Sequence, residues 1–527
     1  NGSLHAGHAL FVTLQDIMIR FARMQGKRAL WLPGSDHAGF ETQVVYEKQL
    51  EKEGRSRFDM TPEQLHGEIM EFVLSKKSFM ENQLRELGAS CDWSRAMFTL
   101  DERVIKTVYD TFKKLEDDKL LYRGARIVNW CPKHQTSLSN LETERETRTE
   151  NFYYLQYGPF VIATARPETK FGDKYVVMHP DDARYKEYKH GDTFTCEWIN
   201  GPVTATVIKD DCIDMELGTG VMTITPWHDA TDFDIAKRHN LPYEQVIDWR
   251  GKLLPIAGEF AGTNIKEARG KIVEKLKSKG LVTKIDEKYT HEVPVCYKCS
   301  REIEPQVRSQ WFIKMQPLAE KALEAEKSGA INILTDQHKK VYEHWLTNIQ
   351  DWNISRQIVW GIPIPAKICD ACHEGFVDLE NNITTCKKCN GAVRPDPDTF
   401  DTWFSSGMWT FSTLGWPEKN TDLETFHPTD LLETGHDILF FWVARMVLFS
   451  TYALNEVPFK HVYLHGLVRD AQGRKMSKSL GNVIDPITIV DEYGVDALRY
   501  FLLRHIHPTE DSEFTMELFK GAYTAGL

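Results

Sequence analysis

The sequence has no long uninterrupted run of apolar residues. Its most apolar stretch, residues 438–454, contains Arg445 and is shorter than the about 20 residues that cross a membrane as a helix. We therefore expect this stretch to be a buried helix, and we expect no membrane partner. The sequence also has no signal-peptide pattern and no low-complexity tract.

An excess of positive charge is also missing. The 64 Lys and Arg residues are outnumbered by 76 Asp and Glu residues, which gives a formal net charge of −12. This balance argues against a protein that covers nucleic acid with a generally basic surface, although it is compatible with a local basic groove. The content of 42% hydrophobic and 27% charged residues is that of an ordinary globular protein, and 527 residues are enough for several domains.

Disulfides are not expected, because seven of the ten cysteines lie at spacings typical of metal knuckles. Cys369 and Cys372 form one pair, and Cys386 and Cys389 form another after thirteen intervening residues. Four thiolates at this spacing are typical of a structural zinc site; four reduced free thiols are the alternative. A reducing, cytoplasmic location is the corresponding expectation.

A second group of possible zinc ligands is less regular. It consists of two separate pairs, and neither pair has a partner nearby in the sequence. The two pairs flank a predicted insert, so a shared zinc ion would fasten the strand that enters the insert to the strand that leaves it. These residues are Cys131, His134, Cys296 and Cys299.

Two short motifs near opposite ends of the chain carry side chains that suit polyphosphate. The sequence HAGH places His5 and His8 one turn apart where a helix is expected to begin, and helix N-termini bind anions. The sequence KMSKS places Lys475 and Lys478 in a polar loop, and lysines act as point charges on phosphates. Either motif alone fits a helix cap or a solvated loop. Together they predict that two distant halves of the chain meet around one nucleotide.

The pattern after the first motif predicts a helix followed by a strand. Apolar residues recur at helical spacing over residues 8–25, and Gly26 is a plausible stop. Residues 28–33 are predicted to form a buried strand that leads to polar residues at its end. This order is typical of a doubly wound nucleotide-binding fold, in which ligands lie at the carboxyl ends of parallel strands.

The second motif has a similar setting. Residues 437–454 and 495–503 are predicted helices, and residues 459–467 are a predicted strand. The halves are separated by a region of short β-type runs that indicates a compact mixed or barrel-like insert. These runs are residues 160–164, 203–208 and 220–224.

With both motifs in this order, the chain resembles the class I aminoacyl-tRNA synthetases. The resemblance implies an α/β fold in which a Rossmann-like parallel catalytic domain is split by an inserted β-rich editing domain and zinc-knuckle modules, followed by a helical segment. The implied division is the first catalytic half at 1–148, the editing insert at 149–295, the insert stem and zinc region at 296–400, the second catalytic half with the KMSKS loop at 401–490, and the start of a helical stem-contact region at 491–527.

Within that family, several stretches resemble the valyl-tRNA synthetases most. The alternative is the isoleucyl or another branched-chain synthetase. Two further alternatives come from a different class of protein. They are a zinc-bearing RNA-binding protein with a degenerate core and a stand-alone nucleotidylyl transferase. The resemblance also implies a fragment that lacks the extreme N-terminus and the anticodon-binding domain. The stretches are GSDHAG at 34–39, VNWC at 128–131, WNISRQ at 352–357, DTWFSS at 401–406, GHDILFFW at 435–442 and KMSKSLGNVID at 475–485.

The resemblance implies activation of valine with ATP and transfer to tRNA(Val) by a monomer, with Mg²⁺ on the pyrophosphate side. Asp36 would hold the ammonium group of the amino acid. Trp403, Ile438 and Trp442 would wall the side-chain pocket, although tryptophans are also common core residues. The catalytic residues would be His5, His8, Lys475 and Lys478, and the adenosine contacts would come from His465, Gly466 and Val483.

The resemblance further implies a second, hydrolytic site. Threonine is nearly isosteric with valine, so a hydrophobic pocket rejects its hydroxyl only weakly. The sequence TARPET at 164–169 resembles the family's editing strand. WHDATD at 227–232 resembles the opposing loop, but Trp227 stands where a smaller residue is usual. Asp229 and Asp232 would bind the ammonium group, and Thr164, Arg166 and Thr169 would hold the terminal adenosine and the ester. A solvated acidic loop is the alternative for the two aspartates.

Overall fold

The structure, a computed structural model, describes residues 4–476, 481–505 and 510–526. It contains two compact units, of which one is discontinuous and includes Asn1–Arg123 and Trp311–Leu527, and the other is Gly124–Gln310. The chain leaves the first unit within strand Leu121–Cys131 and returns to it within strand Glu304–Ile313. None of the described helices is long and apolar enough to cross a membrane.

The discontinuous unit is mostly helical, with short strands between the helices. Its α-helices are Ala6–Met24, Gly39–Lys52, Pro62–Glu86, Glu102–Asp117, Gln316–Lys327, Asp336–Thr347, Thr402–Ser406, Trp409–Ser412, Thr421–Phe426, Arg445–Ala453, Pro486–Tyr493, Val495–His505 and Met516–Thr524. Its strands are Gly34–Ser35, Met97–Phe98, Asn332–Ile333, Trp352–Asn353, Ser355–Arg356, Ala366–Cys369, Gly375–Val377, Val393–Pro395, Thr399–Phe400, Thr429–Gly435, Phe459–His465, Val468–Arg469 and Ser512–Glu513.

A parallel sheet lies at the centre of the candidate site. Phe459–His465 is its middle strand, with Asn332–Ile333 on one side and Thr429–Gly435 on the other. The register pairs Gly435 with His465, so the carboxyl ends of the two longer strands lie side by side. The predicted strand at 459–467 is confirmed, although it ends two residues earlier.

The first helix forms where the sequence predicts it. Helix Ala6–Met24 has His5 as its N-cap and buries one face, which includes Leu10 and Val12. It ends before Gly26, whose φ of 74° lies in the left-handed region that glycine adopts without strain. Helical periodicity and the glycine stop were together enough to predict this helix. The predicted helix at 495–503 is likewise confirmed.

The predicted buried strand at 28–33 is wrong. The segment is extended but belongs to no sheet, and it is half-buried or exposed. The carbonyls of Trp31 and Pro33 accept from the separate amides of Asp92 and Met97. A regular pairing begins only at Gly34, opposite Met97. Without a continuous ladder on an adjacent strand, an apolar run does not become a buried strand.

The predicted helix at 437–454 is confirmed, but it is not uniform. A 3₁₀ turn at His436–Ile438 leads into a π-helical turn at Leu439–Ala444, and regular α-helix follows at Arg445–Ala453. The guanidinium of Arg445 lies 3.9 Å from the ring centre of Trp352. A π-helical turn changes which side chains of a helix face the core, and such turns are frequent at functional sites.

The continuous unit is a mixed β-rich body. A four-stranded sheet joins one parallel pair, Tyr175–Met178 with Gly201–Lys209, to antiparallel neighbours. The predicted β-type runs at 160–164, 203–208 and 220–224 are confirmed. Its helices are Ala230–Arg238 and Ile265–Ser278, and its remaining strands are Thr136–Leu138, Thr143–Tyr157, Phe160–Thr164, Thr193–Trp198, Val221–Thr223 and Val282–Cys296.

The close packing after the middle parallel strand gives a test of the fold. A Cβ atom at Gly466 would lie 1.9 Å from the carbonyl oxygen of Glu510, so Gly466→Ala forces the backbone apart. We expect the free energy of unfolding in urea to fall by about 1–3 kcal/mol. Gly67→Ala is the control, because Gly67 is helical with open space around it and alanine there raises stability by about 0.5–1 kcal/mol. Equal effects of the two substitutions would contradict the packing described.

Candidate functional site

The two histidines of the first motif organise the N-terminus of the first helix. The Nδ1 atom of His5 accepts from the amide of Gly7 at 3.1 Å, and Nδ1 of His8 accepts from the amide of His5 at 3.1 Å. The ring centres are 3.9 Å apart. A Cβ at Gly7 would lie 2.9 Å from the His5 ring, so glycine permits this arrangement. Both imidazoles are therefore held at a helix N-terminus, where anions are stabilised.

A glycine with left-handed backbone lies on either side of the second motif. Gly473 and Gly481 have φ values of 72° and 66°. The ammonium group of Lys475 is 2.7 Å from a carboxylate oxygen of Asp437, and its side chain is 59% exposed. Lys478 lies outside the described residues. A lysine held by a single exposed carboxylate can exchange that partner for a phosphate.

Asp470 organises the loop that carries the lysine. Its carboxylate accepts from the amides of Gln472 and Arg474 at 3.0 and 2.9 Å, and from the side-chain amide of Asn482 at 2.8 Å. Asn482 and then Arg474 hold the pKa of Asp470 well below its usual range. One carboxylate thus fastens the residues before the motif to those after it.

The two motif regions meet directly. The amide of Ala6, inside HAGH, donates to the carbonyl of Ile484 at 3.1 Å. Ile484 follows Val483, the residue expected to contact adenosine, shortly after the KMSKS loop. The prediction that distant halves of the chain come together is confirmed at this hydrogen bond.

A buried glutamate connects the same helix to the sheet. Gln15, on helix Ala6–Met24, donates to the carboxylate of Glu433 at 2.9 Å and to its carbonyl oxygen at 3.2 Å. The other carboxylate oxygen of Glu433 is hydrogen-bonded to Nδ1 of His465. Trp31 donates to the side-chain oxygen of Gln15 at 3.0 Å. The hydrogen bond of Nδ1 to Glu433 therefore fixes the orientation of the His465 ring and leaves Nε2 as its other nitrogen.

Two of the residues expected to bind the amino acid are connected through Ser406, and a third lies near it on the same helix. The hydroxyl of Ser406 donates to the carboxylate of Asp36, and the carbonyl of Ser406 accepts from the indole of Trp442 at 3.0 Å. Trp403 lies three residues before Ser406 on the same short helix, and its ring centre is 5.3 Å from that of Phe441, with the two rings tilted. These side chains surround one region although residue numbers 36 and 442 are far apart.

The remaining pocket residue, Ile438, is half-buried at the end of the 3₁₀ turn that precedes Trp442. Asp36 itself is exposed, and its neighbour Ala38 has a φ of 47°. The positive φ turns the chain sharply between Gly34–Ser35 and the next helix, which presents the Asp36 carboxylate at the surface of the site.

In the other unit, Arg166 is held by a buried ion pair. Both carboxylate oxygens of Glu304 accept from one Arg166 nitrogen, at 2.7 and 2.6 Å. Burial raises the pKa of Glu304, but Arg166 and His228 outweigh burial and lower it to about 2. Burial lowers the pKa of Arg166, and the carboxylates of Glu304 and Glu168 more than offset this. Glu168 is itself fully buried and paired with Arg269 at 2.7 Å.

The hydrogen bonds of His228 determine which of its ring nitrogens carries the proton. Its Nε2 atom accepts from the amides of Val246 and Ile247 at 3.0 and 3.1 Å, so the proton resides on Nδ1. Nδ1 lies 3.2 Å from the carbonyl of Pro305 and 3.3 Å from the carboxylate of Glu304. The loop that carries the two aspartates is thereby fixed to the strand that carries Glu304.

The two aspartates of this loop have different surroundings. Asp229 is exposed and caps helix Ala230–Arg238, accepting from the amides of Thr231 and Asp232. Asp232 is buried and accepts from the amide of Thr225 at 2.7 Å. Burial and then Asp229 raise the pKa of Asp232 to about 7. A solvated surface loop therefore does not describe Asp232.

The TARPET segment approaches this loop. The hydroxyl of Thr225 donates to the carbonyl of Thr169 at 3.3 Å, and Arg166 donates to the carbonyl of His228 at 3.4 Å. The hydroxyl of Thr164 accepts from the amide of Arg166 at 3.0 Å. The indole of Trp227 donates to Gln306 at 3.0 Å. All five residues expected in a second site thus lie in one region of the unit.

Both predicted groups of zinc ligands are assembled. In each group the ligand atoms lie within 4.8 Å of one another. Sulfur atoms are 3.7 Å apart in the first group and 3.5 and 3.6 Å apart in the second. A tetrahedral zinc ion with bonds of about 2.3 Å requires sulfur separations of about 3.8 Å, whereas a disulfide requires about 2.05 Å. The groups are Cys131, His134, Cys296 and Cys299, and Cys369, Cys372, Cys386 and Cys389.

All four knuckles share one backbone geometry. The residue after each second ligand has a positive φ, and its amide donates to the carbonyl of the first ligand at 2.7–3.0 Å. The pair that contains His134 has this turn as well, so its chain path matches the all-cysteine knuckles. The four residues with positive φ are Gln135, Ser300, His373 and Asn390.

Comparison with known proteins identifies the family. A family model described as tRNA synthetases class I (I, L, M and V) matches residues 1–515. The chain belongs to the class I tRNA synthetases. The resemblance drawn from the HAGH and KMSKS motifs is confirmed at this level.

Curated relatives of this class I synthetase chain are about equally similar to it. It is 45% identical to a valine–tRNA ligase of Carboxydothermus hydrogenoformans over 99% of the chain and 60% of the relative. It is 46% identical to a valine–tRNA ligase of Symbiobacterium thermophilum over 99% of the chain and 58% of the relative. The chain therefore spans about 60% of the length of the curated relatives it matches.

Solved structures confirm the fold class. The ternary complex of Agrobacterium radiobacter K84 agnB2 LeuRS, tRNA and LeuAMS superposes with a TM-score of 0.52 at 18% identity, covering 99% of this chain and 70% of that one. Mycobacterium tuberculosis methionyl-tRNA synthetase bound by methionyl-adenylate gives 0.52 at 14% identity, covering 100% and 66%. At sequence identities this low, the similarity shows a shared fold and nothing more.

Metal analysis tests the knuckles of the synthetase chain. We expect two zinc ions per purified chain by mass spectrometry of the metal content, one for each group. Cys299→Ser and Cys372→Ser should each reduce this number to one. Cys212→Ser, which changes an exposed cysteine outside both groups, should leave it at two. A single zinc ion in the unchanged chain that survives Cys299→Ser would exclude the group around His134.

The ion pair of Arg166 gives a test of stability. Glu304→Gln removes the buried carboxylate closest to the half-buried Arg166 guanidinium, which keeps only the longer contact with Glu168, and should lower the free energy of unfolding at pH 7 by about 3 kcal/mol. Glu244→Gln breaks the exposed pair with Lys174 and should change it by less than about 1 kcal/mol.

The pH dependence of the same pair has a definite sign. Glu304 has a pKa of about 2 in the folded chain, below the about 4.3 of an unfolded chain. The contribution of the ionised Glu304 to the free energy of unfolding is complete at a pH above the pKa of the unfolded chain. It is lost as the pH falls towards 2. Urea unfolding should therefore show the difference between the chain and Glu304→Gln shrinking below pH 4.5. A difference that is the same at pH 3 and pH 7 would contradict the assignment.

Proposed function

We propose that the chain is the catalytic and proofreading part of a valine–tRNA ligase, which activates valine with ATP and transfers it to tRNA(Val). The observation that carries the proposal is the identity of 45–46% to valine–tRNA ligases along almost the whole chain. The connected group of Asp36, Ser406 and Trp442 supports it, because a carboxylate next to an indole wall suits an ammonium group beside a small apolar side chain.

Activation needs no strong base. The amino-acid carboxylate is already ionised and attacks the α-phosphorus of ATP, and pyrophosphate leaves. Asp36 holds the ammonium group and thereby aims the carboxylate, while Trp403, Ile438 and Trp442 limit the space for the side chain. Extra methylene groups clash in a close-packed pocket, which disfavours leucine and isoleucine. Positioning supplies most of the rate enhancement in such a reaction.

Charge stabilisation comes from both motifs. His5 and His8 donate to phosphate oxygens from the helix N-terminus, and Lys475 releases Asp437 to neutralise charge that develops on pyrophosphate, together with Lys478. His465, Gly466 and Val483 contact the adenosine. Mg²⁺ fits beside the pyrophosphate, where it would add further positive charge.

We assign to the chain the division into domains that the sequence implies. Catalysis is assigned to 1–148 and 401–490, editing to 149–295, the insert stem and zinc region to 296–400, and the start of a helical stem-contact region to 491–527. The two zinc ions fasten the knuckles and take no part in the reaction. We place the activity in the cytoplasm, where thiolate ligands stay reduced, with the protein acting as a monomer.

Editing is assigned to the continuous unit. Asp229 and Asp232 bind the ammonium group of a threonyl ester, and Arg166, Thr164 and Thr169 hold the terminal adenosine and the ester. The approach of TARPET to the aspartate loop supports this assignment. A polar site of this kind accepts the threonine hydroxyl, which valine lacks.

The experiment that tests the proposal is ATP–pyrophosphate exchange with valine, isoleucine, leucine, methionine and threonine offered separately. Exchange should be strong with valine and weak with threonine. Exchange led by isoleucine would move the assignment to the isoleucyl synthetases. No exchange with any of the five would contradict an active synthetase site in this chain.

The editing assignment has its own prediction. Asp229→Ala should leave valine-dependent exchange unchanged and allow threonyl-tRNA(Val) to persist, because the carboxylate for the ammonium group is lost. Asp229→Asn separates charge from helix capping, since asparagine caps a helix as well as aspartate does. It should show the same persistence without loss of stability.

Asp234→Ala is the matched control, since Asp234 is an exposed aspartate of the same helix. This variant should clear threonyl-tRNA(Val) at the rate of the unchanged chain. Clearance at that rate by Asp229→Asn would refute the assignment.

A further inference from the structure

Three charged side chains are buried together beside the aspartate loop. Lys170, Asp173 and Asp232 are 7%, 1% and 5% exposed. The ammonium group of Lys170 lies 3.5 Å from Asp173 and donates to the carbonyl and hydroxyl of Thr223 at 3.3 and 3.1 Å. Charged side chains are rarely this buried unless they are paired. Here Lys170 and Asp173 are paired with each other, and Asp232 is buried near them.

The two carboxylates share one residue as a donor. Thr225 donates its amide to Asp232 at 2.7 Å and its hydroxyl to Asp173 at 3.2 Å. The second oxygen of each carboxylate, Oδ1 of Asp232 and Oδ2 of Asp173, is buried and has no hydrogen-bond partner in the described part of the chain. Two buried acceptors are thus left open next to the loop assigned to ammonium binding.

The local charge is unbalanced. The group contains one cation and two carboxylates, and Asp229 adds a third carboxylate from the start of the helix. The residues that donate to the group from the preceding strand and just after it, Thr223 and Thr225, are neutral. The other charged side chains of the region pair with one another: Arg166 with Glu304 and Glu168, and Arg269 with Glu168.

The protonation of the two carboxylates reflects this imbalance. Burial, then Asp229, and finally Asp173 raise the pKa of Asp232, whereas Lys170 lowers it, and the result is about 7. Burial raises the pKa of Asp173 to about 6, and Lys170 is the largest opposing influence. The charge of Lys170 therefore favours the ionised form of both carboxylates.

We propose that Lys170 is a positioning residue of the editing site, which keeps Asp232 available as a carboxylate for an ammonium-bearing ligand while Asp173 competes for the same positive charge. This inference rests on the proposed editing function and extends it to residues outside the TARPET and aspartate-loop motifs. Lys170 does not touch the ligand. It acts through the carboxylate of Asp232, which is assigned to the ammonium group.

The proposal implies a proton that competes with the ligand. Below neutral pH Asp232 carries a proton and offers no charge to the ammonium group. As the pH rises the proton leaves, and hydrolysis of the aminoacyl ester becomes faster. Removal of Lys170 shifts this change to higher pH, whereas removal of the Asp173 charge shifts it to lower pH.

Carbon-13 NMR of the chain labelled at the aspartate Cγ atoms measures the titration of Asp232, whose signal is assigned by its loss in Asp232→Asn. We expect the midpoint to rise by about one pH unit or more in Lys170→Met and to fall in Asp173→Asn. Lys170→Arg keeps the charge and should keep the midpoint near that of the unchanged chain. Lys174→Met is the control, because it removes an exposed lysine four residues away.

The second measurement is the rate of threonyl-tRNA(Val) hydrolysis by the same variants as a function of pH. The acid side of the profile should move in the directions found by NMR, so that hydrolysis by Lys170→Met recovers at higher pH. A merely structural role would lower the rate at every pH without moving the profile.

An Asp232 midpoint that is the same in Lys170→Met and in the unchanged chain would overturn the proposal, as would a profile that does not move in either variant. If the midpoints shift as expected but the unchanged chain hydrolyses no threonyl-tRNA(Val) at any pH, the editing function fails and the control of Asp232 by Lys170 stands.

Discussion

The candidate site for amino-acid activation depends on the hydrogen bonds of one buried carboxylate. Glu433 lies on a parallel strand, and removing its charge from water is unfavourable unless both oxygens are hydrogen-bonded. One oxygen accepts from Gln15 of the N-terminal helix and the other is bonded to His465 of the neighbouring strand. These bonds fasten the helix that carries HAGH to the sheet. The hydrogen bond from Ala6 to Ile484 brings the chain after KMSKS to the N-terminus of the same helix.

The continuous unit contains buried charges in two different arrangements. Around Arg166 the charges are matched, since Glu304 and Glu168 supply carboxylates to two arginines, and the pKa of Glu304 is low as a result. Around Lys170 the carboxylates outnumber the cation, and their pKa values lie close to neutral. A matched network stabilises a fixed structure, whereas an unmatched group responds to a proton or to an arriving ammonium group. The continuous unit contains both within a short distance along the chain.

Features encoded locally could be predicted from the sequence. Helical spacing with a glycine stop was enough for Ala6–Met24, and the spacing of the knuckles was enough for both groups of zinc ligands. The strand expected at 28–33 failed because a strand requires a partner along its length, which its own residues do not specify. Ser406, Glu433 and Glu304 were missed for a related reason. A lone serine or glutamate carries no pattern, and its importance comes from partners more than a hundred residues away in the sequence. The KMSKS lysine at 478 lies outside the described residues, so its placement stays a prediction.

The most direct test of this account is the dissociation constant of ATP for the chain and for Glu433→Gln, measured by calorimetry at equal salt. The account predicts that Glu433→Gln weakens ATP binding by about tenfold or more, because Gln15 of the N-terminal helix and His465 lose their common charged partner. The control is Glu456→Gln, which changes an exposed glutamate elsewhere in the same unit and should leave ATP binding unchanged. ATP binding by Glu433→Gln at full affinity would contradict the claim that this carboxylate holds the two halves of the site together.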